Sequence, residues 1–400
     1  MTVSTAEIAR KATVVPGVER LLGAERDLVA GARVGLVCNP ASVDSRLHHS
    51  ADLFRQRSDL TLAAIFGPQH GFRSDLQDNM IETPHARDAR RAVPVYSLYS
   101  ETREPTPEML RDVDVLVIDL QDVGTRVYTY IYTLANCMRA AARHGIRVVV
   151  CDRPNPIGGD AVEGALLRDP WTSFVGQFPL PLRHGMTIGE LARMFNDAFG
   201  IGAALEVVRL EGWQRSMYFD ETGLPWVIPS PNLPTLDSAI VYPGAVLVEG
   251  TMLSEGRGTT RPFELIGAPW IDGEQLADEM NGKGLPGVYF RPVFFEPTFH
   301  KHAKTTCGGC QIHVLDRRAF RPLRTGVELI AEFRRENAGR FAWRQPPYEY
   351  EHDKEPIDIL YGSDRFRTTL ESDGDVAAIV DSWAAEEEAF KRQRQQYLMY

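Results

Sequence analysis

The sequence contains no apolar run of the roughly 18 residues that a membrane-spanning helix needs, and its first residues lack the basic-then-apolar order of a signal peptide. It has only five cysteines. Three of them, Cys38, Cys137 and Cys151, lie in apolar patterns that are typical of small core residues. We therefore expect no membrane partner and a cytoplasmic location, although removal of a leader would leave the same pattern.

Basic residues are also fewer than acidic ones, 44 against 54, which gives a net charge of -10. This balance argues against a general affinity for nucleic acid. No G-x-G-x-x-G follows the first predicted strand, no P-loop sequence occurs, and no G-x-S-x-G is present. These absences disfavour a dinucleotide site, a P-loop and an α/β-hydrolase. The spacings of His300, His302, Cys307 and Cys310 are weak for zinc, so we expect neither a metal nor another cofactor.

The first half of the chain alternates buried strand patterns with helix patterns. A helical spacing of apolar residues precedes Gly145, and Thr187 and Glu190 have the spacing of a capping box. Near-continuous apolar runs are typical of strands covered on both faces; they lie at 33–38, 61–66, 113–120 and 145–152. The alternation predicts an α/β fold: a Rossmann-like, mostly parallel sheet with helices on both faces.

The second half of the chain differs in composition. Glycine and proline are dense from about residue 211 to 262, and we interpret this segment as long ordered loops that cross between domains. Strand and helix patterns follow and predict a smaller α+β domain. We therefore predict a Rossmann-like N-terminal domain at 1–245, a C-terminal α+β domain at 246–400, and a cleft between them.

Polar residues flanked by glycine and proline follow four of the predicted strands. In open parallel sheets, ligands bind beyond the carboxyl ends of the strands, so we expect these clusters to converge on one cleft. The segment 249–264 is a second candidate, because its acids and arginines among glycines are typical of a sugar-binding loop. The clusters at the strand ends are Asn39-Pro40, 67–73, 119–126 and 152–156.

Several long segments carry a more specific resemblance. They occur in order from about residue 30 to near the C-terminus, and chance does not explain motifs of this length. The sequence resembles the exo-β-N-acetylmuramidase family in FGPQHGFR (66–73), VLVIDLQDVGTRVYTYIYT (115–133), DRPNPIGG (152–159), VEGALL (162–167), PLRHGMTIGEL (181–191), SPNLPT (230–235), EGTMLSEGRGTTRPFELIGAPW (249–270) and the HKHAKTTCGGCQIHV region (300–314).

The resemblance implies an active site between a Rossmann-like domain and a smaller C-terminal domain. It also implies release of N-acetylmuramic acid from the non-reducing end of peptidoglycan fragments, with a small carbohydrate as the partner and cell-wall recycling as the setting. One position departs from the family pattern. Many members carry an acid where this chain has Gln69, and an amide cannot act as a general acid.

Glycoside cleavage generally uses two carboxyl groups, and we predict Glu163 and Glu255 as the catalytic pair. Substrate assistance by an N-acetyl group stays open, and Tyr128 or Tyr130 is a candidate for stacking on a sugar. Asp122 and Arg126 are expected to orient the substrate, and Arg153 is among the candidates for its carboxylate. The predicted substrate-binding residues are Gln69, His70, Asp119, Gln121, Asp122, Arg126, Arg153, Asn155, His184, Glu249 and Arg257.

Three other functions stay open at this stage. One is a glycosidase of related fold that acts on another amino sugar. Another is a non-catalytic protein that binds muropeptides or sugars, which Gln69 keeps open. The weakest is a nucleotide-binding enzyme, since only the strand–helix alternation supports it. The oligomeric state and the stereochemical course are not determined by the sequence.

Overall fold

The computed structural model describes residues 13–77 and 81–400, and the strands in these residues form two sheets. The larger sheet has seven strands and the smaller has three. The larger sheet contains β1 (Arg33–Cys38), β2 (Thr61–Gly67), β3 (Ala86–Asp88), β4 (Val93–Ser97), β5 (Val115–Asp119), β6 (Arg147–Cys151) and β7 (Leu205–Val208). The smaller sheet contains β8 (Leu265–Ala268), β9 (Val288–Phe295) and β10 (Cys307–Val314).

Helices precede, connect and follow these strands, and no helix in the described residues is long and apolar enough to cross a membrane. The α-helices are α1 (Gly17–Leu22), α2 (Ser50–Arg55), α3 (Pro107–Leu110), α4 (Tyr130–His144), α5 (Ile188–Asp197), α6 (Leu236–Ala245), α7 (Gly273–Gly282), α8 (Pro322–Glu336), α9 (Pro356–Tyr361), α10 (Arg365–Glu371), α11 (Val376–Ser382) and α12 (Ala384–Arg394). Short 3₁₀ helices cover Arg26–Leu28, Phe219–Glu221, Val246–Gly250 and Gln395–Tyr397.

The larger sheet has the order β3-β4-β2-β1-β5-β6-β7, and its strands are parallel except for the antiparallel β3–β4 pair. The interior strand β5 is buried on both faces. Leu116 and Ile118 pack into one hydrophobic core with α4, α6 and α8. Val115 and Val117 point into a second core with α1 and α2. This alternation explains the near-continuous apolar run, and the predicted Rossmann-like sheet with helices on both faces is confirmed.

The smaller sheet is antiparallel, with the order β8-β10-β9, and it packs against α7. The core that holds α4 also includes residues of α6, α8 and α9. The two predicted halves of the chain therefore share one continuous hydrophobic core. The position of the boundary near residue 245 stays a prediction.

One interpretation of the glycine- and proline-rich segment is wrong, because α6 and the following 3₁₀ helix occupy 236–250. Every residue from Ser238 to Gly250 is buried, so the helix lacks the polar face that would have revealed it. Gly244 and Gly326 lie in direct backbone contact between α6 and α8: a Cβ at Gly244 would meet the Pro322 carbonyl oxygen at 1.8 Å. The glycine thus permits close helix packing rather than a loop.

The strand order reverses between β1 and β5, where a Rossmann-like sheet usually binds its ligand. In this chain, protein groups fill that position. Arg153 donates from Nε to Asp119 Oδ1 at 2.6 Å and from Nη2 to Asp119 Oδ2 at 2.9 Å. Asn39 donates to the Pro229 carbonyl at 2.7 Å. A buried ion pair and a returning loop therefore close the usual crevice.

We predict that Asp119→Ala lowers the free energy of unfolding by about 3–5 kcal/mol, because it leaves the Arg153 charge buried without its carboxylate. Equilibrium urea unfolding near neutral pH measures this loss. The control is Glu388→Ala, which removes the exposed partner of Lys391 and should change the free energy of unfolding far less, because water screens this pair. Equal losses in the two variants would show that the Asp119–Arg153 pair stabilises the fold no more than the exposed pair does.

Candidate active site

A partly open pocket, referred to below as the cavity, lies beside the carboxyl end of β2 and beneath the 3₁₀ segment that follows α6; its empty space, counted out to the solvent, is about 470 Å³. All of its lining residues are buried, and they come from both predicted halves of the chain. The lining residues are Gln69, His70, Val127, Tyr128, Thr129, Val175, Ser230, Asn232, Leu233, Tyr242, Val246, Glu249, Arg257, Phe263, Tyr348 and Glu349.

A tight turn from the C-terminal half carries Glu349 into this cavity. Tyr348 and Glu351 exchange two backbone hydrogen bonds of 2.9 Å. The two corner residues, Glu349 and Tyr350, have φ angles of 45° and 68°. Positive φ at both corners is the pattern of a type I′ turn, where asparagine and glycine are the usual residues. The turn is therefore strained, and its neighbours hold the glutamate in place.

The Glu349 carboxyl group contacts the loop after β2 and the segment after β4. Tyr99 donates from its hydroxyl to Glu349 Oε2 at 2.9 Å, and Gln69 Nε2 lies 3.5 Å from Glu349 Oε1. Burial raises the pKa of Glu349 to about 7; the hydrogen bond from Tyr99 opposes this rise, and the charge of Glu249 adds to it. A carboxyl group with this pKa is protonated for much of the time near neutral pH, which suits a general acid.

A second carboxylate, Glu249, lies in the same cavity with different partners. Arg257 donates from Nη2 to Glu249 Oε1 at 2.6 Å, and the Tyr348 hydroxyl donates to Oε2 at 2.9 Å. Charge-assisted contacts of this kind hold a carboxylate in a fixed position. The cavity thus contains two glutamates with different partners.

Backbone strain also concentrates at this cavity. His70, Phe263 and Glu349 have φ angles of 66°, 67° and 45°, and all three line it. Each such left-handed residue costs on the order of 1 kcal/mol. Because strain of this kind persists where the surrounding structure imposes it, it adds to the case that this cavity is the functional site.

The chain was compared with known proteins. Residues 34–237 match the family model described as "Exo-beta-N-acetylmuramidase NamZ, N-terminal", and residues 240–400 match "Exo-beta-N-acetylmuramidase NamZ, C-terminal". The chain belongs to the exo-β-N-acetylmuramidase NamZ family. It is 46% identical over 395 residues to the peptidoglycan beta-N-acetylmuramidase NamZ of Bacillus subtilis (strain 168), covering 98% of this chain and 93% of that protein.

Two solved structures from Bacteroides fragilis NCTC 9343, both of DUF1343 family proteins, share this NamZ-family fold. The first, BF0371, superposes with a TM-score of 0.88 at 36% identity and covers 98% of this chain and 100% of its own. The second, BF0379, gives a TM-score of 0.77 at 27% identity and covers 97% of this chain and 99% of its own. The fold is therefore the fold of the family along nearly the whole chain.

Four of the predicted substrate-binding residues of this NamZ-family chain line the cavity: Gln69, His70, Glu249 and Arg257. Thr129 donates from its hydroxyl to Gln69 Oε1 at 2.7 Å. This contact orients the Gln69 amide so that its NH₂ group faces Glu349. Gln69 thus acts as a hydrogen-bond donor toward Glu349.

The predicted residues at the ends of β5 and β6 lie elsewhere. Asp119 and Arg153 form the buried ion pair at the switch point. Gln121 donates to the Pro154 carbonyl at 2.8 Å, and Asp122 Oδ2 accepts the Gly124 N–H at 2.8 Å. These contacts hold loops together, and none of the four residues lines the cavity. These four residues therefore do not converge on this cavity with the loop after β2, and their part in substrate binding stays a prediction.

Three more candidates are buried supports of the fold rather than parts of the cavity wall. Arg126 donates to the carbonyls of Leu180 at 3.0 Å and Leu360 at 2.7 Å, so it joins the loop after β5 to α9. Asn155 donates from Nδ2 to the Met186 carbonyl at 3.0 Å. His184 is fully buried, with its Nε2 3.4 Å from an oxygen of Asp122.

Glu163, one of the two predicted catalytic residues, lies at the first turn of α8 and not in the cavity wall. Its Oε1 accepts the backbone N–H of Arg324 at 2.9 Å, so it satisfies a free donor at the start of that helix. Burial raises the pKa of Glu163 to about 7, and the backbone hydrogen bond from Arg324 opposes this rise. Burial alone thus raises the Glu163 pKa into the range of an acid catalyst, although Glu163 does not line the cavity.

Glu255, the other predicted catalytic residue, lies behind Arg257. Its carboxylate is 2.9 Å from Lys301 Nζ, 3.2 Å from His300 Nδ1 and 3.3 Å from Arg257 Nε. Burial alone would raise the pKa of Glu255, but these cationic groups outweigh it and hold the pKa well below its usual value. Glu255 is therefore a permanent anion that cannot donate a proton near neutral pH, and it supports Arg257.

Reasoning from the sequence did not identify Glu349, Tyr348 or Asn232 as site residues. Asn232 lies within the SPNLPT segment, which carried part of the family resemblance. Glu349 lies in the stretch PPYEYEH, where two prolines precede alternating aromatic and acidic residues. The alternation has the period of a strand but lasts only four residues, and nothing in it connected this stretch with the parallel sheet.

Glu163→Gln tests whether Glu163 is structural. Its folded pKa lies above the unfolded value, so its favourable contribution is complete below about pH 4.5 and is lost as pH rises through about 7. We predict that the variant matches the wild type near pH 4.5 and exceeds it at pH 8 by on the order of 1–3 kcal/mol. Urea unfolding at both pH values measures the difference. A large loss of turnover in this variant would instead support the catalytic role.

Proposed function

We propose that the chain is an exo-acting glycoside hydrolase that releases N-acetylmuramic acid from the non-reducing end of peptidoglycan-derived fragments. The observation that carries the proposal is a cavity lined by two buried glutamates, Glu249 and Glu349, of which Glu349 has a pKa near 7. Membership of the NamZ family supplies the substrate class.

In this proposal, Glu349 is the general acid. Protonated Glu349 donates its proton to the glycosidic oxygen as the bond to the anomeric carbon breaks, which lets the remaining chain leave as a neutral alcohol. The Tyr99 hydroxyl and the Gln69 amide donate to the Glu349 carboxylate that this step produces. They therefore stabilise the deprotonated form without preventing protonation beforehand.

Glu249 is the second carboxylate of the reaction. Arg257 and Tyr348 fix both of its oxygens, so its position relative to a bound sugar is set before the substrate enters. It can stabilise positive charge at the anomeric carbon, or take the proton of an attacking water, or orient the substrate's own N-acetyl group. These alternatives share the same requirement for an ionised Glu249.

Polar and aromatic groups remain available for a sugar ring. Asn232 lines the cavity, and among the described residues its Oδ1 has no hydrogen-bond partner although the side chain is buried. This oxygen is an acceptor for a sugar hydroxyl or an acetamido N–H. Tyr128 also lines the cavity, whereas Tyr130 donates its hydroxyl to the Pro229 carbonyl outside it. Of the two tyrosines, Tyr128 is the better stacking candidate.

The cavity also suits exo action. Its wall consists of buried residues on every side that the structure describes, and a site of this kind receives the end of a chain more readily than its middle. Endo-acting enzymes need an open groove that a polymer can cross. We therefore propose that one terminal sugar enters the cavity and that the rest of the fragment stays at its rim.

The direct test compares two chromogenic substrates, 4-nitrophenyl β-N-acetylmuraminide and the matching β-N-acetylglucosaminide. We expect release of 4-nitrophenol from the first at a rate at least about tenfold above the second, since a lost specific contact typically costs at least about 1.4 kcal/mol. Cleavage of a muramyl disaccharide, whose leaving group needs a proton, should fall as pH rises above about 7, because Glu349 then loses its proton. Binding without turnover of either substrate would favour a sugar-binding protein instead.

Glu349→Gln tests the acid role. We predict a fall in kcat/KM of roughly 10²–10⁴ for a muramyl disaccharide, whose leaving group needs a proton, and a much smaller fall for a muramyl fluoride, whose leaving group does not. The alkaline limb near pH 7 should disappear with the acid. Glu351→Gln, two residues along the same turn and paired with Lys354, is the matched control and should keep both activities. Equal losses on both substrates would contradict the assignment.

A further inference from the structure

A cluster of aromatic residues around one arginine lies next to Glu349, outside the cavity described above. We define this rim cluster as Tyr99, Arg103, Phe174 and Tyr350. The Arg103 guanidinium lies 4.3 Å from the centre of the Tyr99 ring and 4.4 Å from that of Tyr350, so it is held between two aromatic faces. Phe174 lies 5.6 Å from the same guanidinium.

We propose that the rim cluster is the subsite for the leaving group, with Tyr350 as the aromatic surface that holds the sugar following the cleaved bond. The proposal rests on the proposed function, because it presumes that Glu349 protonates a glycosidic oxygen. It adds a binding site for a second sugar ring, which neither the cavity nor the two glutamates provides.

The position of the rim cluster follows from its neighbours. Tyr350 follows Glu349 in the turn, and Phe174 precedes Val175, which lines the cavity. Tyr99 links the two sites, because its hydroxyl donates to Glu349 while its ring packs on Arg103. A general acid lies on the leaving-group side of the bond that it protonates. The sugar that leaves therefore emerges next to these residues.

The exposure of the cluster fits this role. Tyr350 is 45% exposed, although Tyr99 and Glu349 beside it are buried. An exposed tyrosine is usually mobile, but this one is held by Arg103 on its ring and by a hydroxyl contact to Glu82 at 3.4 Å. The strained φ of 68° also fixes its backbone. A rigid, exposed aromatic ring can bind the apolar face of a sugar at a small cost in side-chain entropy.

Arg103 gives the subsite a second property. Its side chain is 20% exposed and pairs with Glu82 at 3.8 Å, so part of its charge faces solvent at the rim. The leaving part of a peptidoglycan fragment consists of amino sugars and peptide-bearing sugars that carry hydroxyls, amides and carboxylates. A guanidinium beside an aromatic surface recognises such groups. The chemical class that this subsite fits is thus an N-acetylated amino sugar, with or without an acidic peptide beyond it.

The test separates the two subsites by their substrates. The disaccharide N-acetylmuramyl-β-1,4-N-acetylglucosamine occupies both, whereas β-N-acetylmuramyl fluoride has no sugar in its leaving group. We expect Tyr350→Ala and Tyr350→Leu to lower kcat/KM for the disaccharide by roughly 10-fold and to change it for the fluoride by less than about twofold. Tyr350→Phe should retain the wild-type value on both substrates.

Tyr289→Ala is the matched control, because Tyr289 is 49% exposed on the distant strand β9; it should change neither activity. Turnover of the fluoride shows in the same experiment that each variant is folded. Equal losses on both substrates, or no loss on the disaccharide, would overturn the subsite while leaving the proposed function intact. Failure of the wild type to cleave either substrate would overturn the proposed function, and this inference with it.

Discussion

The contact between the Glu349 carboxyl group and the two donors Tyr99 and Gln69 joins the two halves of the site. Tyr99 and Gln69 follow the carboxyl ends of β4 and β2, and Glu349 comes from a turn 250 to 280 residues later in the chain. This contact is one of several that hold the strained corner at residues 349–350, together with the backbone hydrogen bonds of the turn and the packing of Tyr350 on Arg103. Burial among these neighbours raises the Glu349 pKa, whereas the hydrogen bonds from Tyr99 and Gln69 lower it. The two halves of the site therefore create the acid by burying it.

The sequence predicts the sheet well because its strands are buried on both faces. A run such as 115–119 is kept from water only when both of its faces are covered. It predicts the site only in part. The rule that ligands bind at strand ends holds for the loop after β2, which supplies Gln69 and His70. It fails at the reversal point, where Asp119 and Arg153 satisfy each other. A pair of polar residues looks the same in sequence whether its partner is a substrate or another side chain.

The residues that sequence reasoning missed depend on long-range contacts. Glu349 acquires its chemistry from burial under a distant loop, and Glu163 acquires a similar pKa from burial against a helix end. Neither fact has a local sequence signal, and a raised pKa alone does not separate the acid from the support. Location does, because Glu349 lines a cavity and Glu163 does not. Helix α6 was not predicted for a related reason, since burial on all sides removes the amphipathic pattern.

Gln69 illustrates how an amide in place of a carboxyl group changes the chemistry of this cavity without removing its proton donor. A glutamate at position 69, the residue type that the family resemblance leads one to expect, would place two carboxyl groups about as close as Gln69 Nε2 and Glu349 Oε1 are here, 3.5 Å apart. Two such groups share one proton and titrate as a pair. The amide removes one of the two charges and donates a hydrogen bond that lowers the Glu349 pKa, partly offsetting its burial. Glu349 is then left as a single acid that titrates near pH 7, so the proton donor is retained although the glutamine itself cannot donate one.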